Sequence, residues 1–146
     1  MYKDDDLGGR IMNYILSGNI DMIKALLELK FLNPQYDTFN YTGSTNHHNS
    51  GDIYLLLELV AAQYATIPNY KEMIDLLLKH GNHVDDHADA ITPLELALIH
   101  NNFPVAAYLM SKGGTYNIEE IADFSKTVEI DVVAKMNEEY AKIVPS

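Results

Sequence analysis

The feature that most constrains this chain is internal repetition. Written by their leucine pairs, segments 18–27, 70–81 and 102–113 align. Each places one apolar pair and then a second one three residues on: Met22-Ile23 with Leu26-Leu27, Met73-Ile74 with Leu77-Leu78, Val105-Ala106 with Leu109-Met110. That spacing sets four apolar side chains on one face of a short helix. Two of the segments stop at a glycine, Gly81 and Gly113, which suits the left-handed residue that closes a helix. Upstream of each lies a shorter apolar stretch: 10–16, 57–61 and 92–99. In the last, Thr92 is the expected N-cap and Pro93 the first helical residue. A helix–turn–helix unit of about 30 residues cannot bury its apolar face alone, so repeated units must stack. The expected fold is all-α, a short α-solenoid. Its units are placed at about 7–34, 54–85 and 90–117, in a single domain covering 1–146.

The best-preserved unit has a family likeness. Thr92-Pro93-Leu94-Glu95-Leu96-Ala97, Val105-Ala106, Leu109-Met110, Gly113-Gly114 and Asn117 resemble the ankyrin repeat position by position. Asn101 stands where that family has a turn glycine, and Asn tolerates left-handed geometry. Glu95 replaces the usual His, so the hydrogen bonding normally made there must be rearranged or absent. The middle unit keeps Leu77-Leu78-Lys79-His80-Gly81-Asn82 without the Thr-Pro, and the first keeps Gly18-Asn19 and Leu26-Leu27. After Asn117 the pattern dissolves into two amphipathic stretches. Asn117 caps the first, and Val132, Val133, Met136, Tyr140 and Ile143 stripe the second. These are read as a C-terminal helical cap over 118–143.

Two segments break the rhythm. The stretch 35–53 is far longer than its counterpart in the third unit, and Gly, Ser, Asn and Thr dominate it, which reads as an insertion loop. Its aromatics either anchor a partner or fold back on the core. Between the helices of the middle unit, residues 63–70 carry about five residues more than the third unit needs at that point. Tyr64, Ile67 and Tyr70 either form a contact patch there or pack down over the helix ends.

Charge narrows the partner. With 21 acidic and 10 basic side chains the net charge is −11, which argues against nucleic acid and anionic membrane as main partners. No apolar run reaches the length of a membrane span, and the N-terminus lacks a signal-like apolar core, so a soluble cytoplasmic domain is expected. The absence of cysteine removes disulfides and thiol chemistry. From His80 to Ser111 there are four carboxylates and no Lys or Arg.

The ankyrin likeness implies a non-catalytic module that binds a protein bearing a basic patch, through finger loops and the inner first-helix surface. The expected contacts are Tyr36, Asp37, Phe39, Tyr41, His47, His48 and Asp52 in the first finger. The second finger adds His83, Asp85, Asp86, His87 and Asp89, and His100 and Asn101 lie further in. No cofactor and no metal is assigned. One alternative is an inhibitor or immunity-type protein neutralising a basic protein. Another is a metal-binding protein or hydrolase built on the finger histidines, whose spacing is not a tight ligand motif unless helical. Catalytic signatures such as G-x-S-x-G or H-E-x-x-H are missing. Glu58 and Glu95 occupy equivalent helix slots, where they read as solvated or capped structural glutamates in preference to a carboxylate pair that raises one pKa.

Overall fold

The computed structural model describes residues 5–41, 52–63, 65–87, 91–117, 119 and 131–143. It is mostly helical, as the periodicity predicts. The helices are α1 (Asp5–Leu16), α2 (Ile20–Glu28), α3 (Leu56–Ala61), α4 (Tyr70–Lys79), α5 (Pro93–Ile99), α6 (Phe103–Ser111) and α7 (Asp131–Ile143). Helices α1 and α2, α3 and α4, and α5 and α6 pack as consecutive pairs. The first helices touch in the order α1, α3, α5, and the second in the order α2, α4, α6. Their shared core includes Ile15, Ile23, Leu57, Leu59, Ile74, Leu77, Leu94, Leu98 and Leu109, all fully buried.

All three second helices end in the same way. Lys30, Gly81 and Gly113 take positive φ, and each donates its N–H to the carbonyl three residues back. The next residue (Phe31, Asn82, Gly114) donates five residues back, to Leu26, Leu77 and Leu109, so the last carbonyls are satisfied. The same closure recurs after α1 at Gly18 and after α5 at Asn101, where φ is 58°. Lysine at φ 62° is the costly member of this set.

Helix α5 starts where Thr92-Pro93 predicts. Thr92 Oγ1 accepts from Glu95 N (3.2 Å) while Glu95 Oε1 accepts from Thr92 N (2.7 Å), a complete capping box. Leu55 has no hydroxyl to match Thr92, so α3 keeps half the device: Glu58 Oε1 accepts from Leu55 N at 2.9 Å. Both glutamates are buried and structural.

The stretch 35–53 contains the one departure from helix among the described residues. Strands β1 (Phe39–Tyr41) and β2 (Asp52–Tyr54) pair antiparallel, with Phe39 opposite Tyr54 and Tyr41 opposite Asp52. Phe39 and Tyr54 share the buried face of this pair and Ile53 the exposed one. Two anchors on one face, in strands of three residues, are too short a pattern for period-two alternation to reveal.

The extra residues of the middle unit pack down. Ile67 is buried, Pro68 lies against Gly18, and Asn69 Nδ2 donates to the Gly18 carbonyl at 2.9 Å. Tyr70 meets Tyr108 edge to face, ring centroids 6.1 Å apart; Tyr64 lies outside the described residues. At the C-terminal end α7 covers α6 with buried Val132 and Met136. The remainder of the expected cap, residue 118 and residues 120–130, lies outside the described residues.

Candidate docking surface

The loop after α4 is joined on one side to the loop after α2 and on the other to the loop after α6, which reaches the N-terminal end of α5. The loop after α2 closes on an aspartate: Asp37 N donates to the Asn33 carbonyl (2.9 Å), and Asn33 N donates to Asp37 Oδ2 (2.9 Å). The loop after α4 repeats the device. There Asp86 N donates to the His83 carbonyl (2.9 Å), and Asp86 Oδ2 accepts from His83 N (2.8 Å) and Asn82 Nδ2 (3.2 Å). Each aspartate satisfies N–H groups that the chain reversal would otherwise leave open.

Lateral bonds then join neighbouring loops. Buried Asn82 donates through Nδ2 to the Pro34 carbonyl at 2.9 Å, tying the second loop to the first. Asp85 ties it to the third, accepting from Thr115 N (2.9 Å) and Thr115 Oγ1 (2.8 Å). Thr92 Oγ1 bonds the Thr115 carbonyl at 2.7 Å, and Glu95 Oε2 accepts from Asn117 N at 2.8 Å. Glu95 therefore bridges the start of α5 and the loop after α6. Asn117 Oδ1 also accepts from Glu119 N (2.9 Å).

This bonding separates bracing side chains from presented ones. Asp37, Asp85 and Asp86 are occupied by backbone and hydroxyl donors. Phe39 is fully buried in the core and offers no surface. Tyr36 is exposed (67 %), as are His83 and His87. The imidazoles are oriented oppositely. His83 Nδ1 accepts from Asp85 N (3.2 Å), whereas His87 Nδ1 donates to the Asp85 carbonyl (2.6 Å).

The other expected contacts are distributed differently. Tyr41 and Asp52 pair as the last rung of the strand pair. His47, His48 and Asp89 lie outside the described residues. His100 is buried at the far end of α5, where its Nδ1 donates to the Leu96 carbonyl (2.8 Å), and exposed Asn101 is the left-handed residue of the next turn. The fold does not bring these two to the ridge. Among the described residues no group of His, Asp or Glu converges as metal ligands. Sequence reasoning passed over Tyr116 and Ile53, both exposed here, and the braces Asn82 and Thr115. Spacing held a signal for the braces, since Asn33 and Asp37, and Asn82 and Asp86, each stand four residues apart just past a helix end.

The local field is acidic. Asp85, Asp86 and Glu95 form no ion pair among the described residues, whose ion pairs Lys112–Asp75 and Lys142–Glu139 lie elsewhere. No helix among the described residues is long and apolar enough to cross a membrane.

No protein-family model matches the chain, and no solved structure does. The chain is similar to the phage-like element PBSX protein XkdS of Bacillus subtilis (strain 168). The two are 29 % identical over 121 residues, which is 82 % of this chain and 79 % of that protein.

Proposed function

We propose that the chain is a short ankyrin-like solenoid acting as a non-catalytic protein-binding module, and that its docking surface is the loop ridge. The observation that carries this reading is the lateral bracing. Asn82 on Pro34 and Asp85 on Thr115 fasten three loops into one surface, so Tyr36, His83, His87 and Tyr116 are presented with little freedom left to lose on binding. The solenoid reading is supported by the recurrence of left-handed closures at Lys30, Gly81 and Gly113 and by the ordered contacts between like helices. Carboxylates without cationic partners favour a basic patch on the protein bound.

Affinity capture with the wild-type chain and with Tyr36→Ser/Tyr116→Ser tests the proposal. The expected result is a protein lost from the variant, and lost from the wild type as salt rises, while both chains melt alike. A partner retained by the variant and indifferent to salt overturns it. The similarity to a phage-like element protein favours a second, compatible reading: this chain acts within such an element, and its partner is encoded there.

A further inference from the structure

Tyr70, in the first turn of α4, and Tyr108 of α6 meet at a right angle, with 82° between the ring planes and 6.1 Å between centroids. Two rings set this way leave an inner corner onto which both present π-electron density. An ammonium already stands there. Lys71 Nζ lies over both rings, 6.0 Å from the Tyr70 centroid and 5.8 Å from that of Tyr108. No carboxylate accounts for its position. Lys71 forms no ion pair among the described residues, where Asp75 takes Lys112 and Glu139 takes Lys142. The helix does not hold it either, since a cation in the first turn meets the positive end of the dipole. The rings are what attracts the charge. Two carboxylates border the corner. Asp75 accepts from the Tyr108 hydroxyl at 2.7 Å, and Glu139 of α7 is close enough that its charge, after burial, raises the Tyr70 phenol.

We propose that this corner binds a quaternary alkylammonium group, for which Lys71 is a resident stand-in that the ligand displaces. The choice of ligand follows from hydration. A lysine ammonium is compact and strongly hydrated, so it gives up little of its water to lie against two rings. A trimethylated ammonium spreads the same charge over methyl groups, sheds water more readily and fills the corner with contacts to both ring faces. Displacement is cheap, because Lys71 is exposed and moving it aside breaks no ion pair among the described residues. The net charge of −11 draws cations to the chain. The site lies on α4 and α6 and does not depend on the docking role of the loop ridge.

Amide NMR spectra of the full chain test this, titrated to roughly 100 mM with choline, a range suited to a weak site. The same titration is run with the neutral isostere of choline, in which carbon replaces nitrogen, and with a short peptide carrying trimethyllysine. Choline is expected to shift amides around Tyr70 and Tyr108, and the isostere is not. Lys71→Ala removes the resident cation and tightens choline roughly threefold, whereas Tyr70→Leu weakens it roughly fivefold, with circular-dichroism melts confirming that both variants fold. Binding of either cation supports the site: a tighter peptide assigns it to a protein side chain, tighter choline to a headgroup or the free compound. Equal shifts from the neutral isostere, an affinity that Lys71→Ala leaves unchanged, or no shift in the wild-type chain at the highest concentration overturns the proposal.

Discussion

Asp85 and Thr115 are joined by two hydrogen bonds, one to the backbone N–H and one to the hydroxyl, across 30 residues of sequence. A carboxylate that the sequence offers as a partner contact is therefore a strut between loops. Asp85→Ala removes both bonds at a partly exposed position, and the expected loss is about 1–2 kcal/mol in urea unfolding. The Thr115 amide should exchange with solvent much faster in the variant, while amides inside α6 keep their protection relative to global stability. Equal acceleration throughout α6 would show that the strut holds more than the loop.

Gly18 is the position where backbone freedom is required twice. Its φ is +72°, and a Cβ there would collide with the carbonyl of Pro68. Both atoms of that collision belong to main chain or its immediate attachment, so no side-chain rotation relieves it. Gly18→Ala is expected to cost roughly 2–4 kcal/mol, combining left-handed strain with displacement of the 65–69 segment. Loss of the Asn69 bond to the Gly18 carbonyl should accompany it. Thermal unfolding measures the total, and Gly9→Ala, where a Cβ meets nothing within 4 Å, is the control.

What was legible in the sequence follows from which interactions are local. Helices α4, α5 and α6 are announced by paired apolar residues, by Thr92-Pro93 and by Gly81 and Gly113, because periodicity and capping act within a few positions of one another. The strand pair was not legible. Its hold on the fold is the burial of Phe39 and Tyr54, residues 15 apart whose relation exists only in three dimensions. The candidate surface was half visible for the same reason. Tyr36, His83 and His87 stand out by residue type in the finger segments, and all three are exposed. The roles of Asp85, Asp86 and Glu95 depend on which loops lie alongside, and a single unit's sequence does not contain that. Tyr116 stands between Gly113-Gly114 and Asn117, at a position to which the repeat pattern assigns no residue type.

Lys30 occupies the slot that glycine fills in the other two units, at φ 62°. Its side chain is exposed and makes no ion pair among the described residues, so the left-handed backbone has no compensating contact. Lys30→Gly should raise stability by roughly 0.5–1 kcal/mol, the relief of left-handed strain minus the extra entropy glycine has when unfolded. Lys30→Ala, which keeps a Cβ, should gain nothing. Chemical denaturation midpoints at constant slope distinguish the two.

Tyr108 donates its hydroxyl to both oxygens of Asp75, at 2.7 and 2.9 Å, with the Lys112 ammonium 5.1 Å from its ring centre and 3.4 Å from the same carboxylate. Burial first, then the Asp75 hydrogen bond and charge, raise the phenol above its ordinary 10.0, and Lys112 opposes them only in part. The native state therefore keeps a proton that the unfolded chain has already released. Stability from this group is fully present below pH 10 and falls as pH rises through the raised value. Tyr70 has the same sign, because burial and then the Glu139 charge raise it too. Tyr108→Phe keeps the ring against Tyr70 and Lys112 but removes the proton in question. Stability at pH 7 should drop by about 1 kcal/mol for a hydrogen bond to a half-exposed carboxylate. Between pH 9 and about 11.5 the variant should lose less stability than the wild type, because one of the two raised phenols has gone. Parallel pH–stability curves for the two chains would instead show that the Tyr108 proton is not linked to folding.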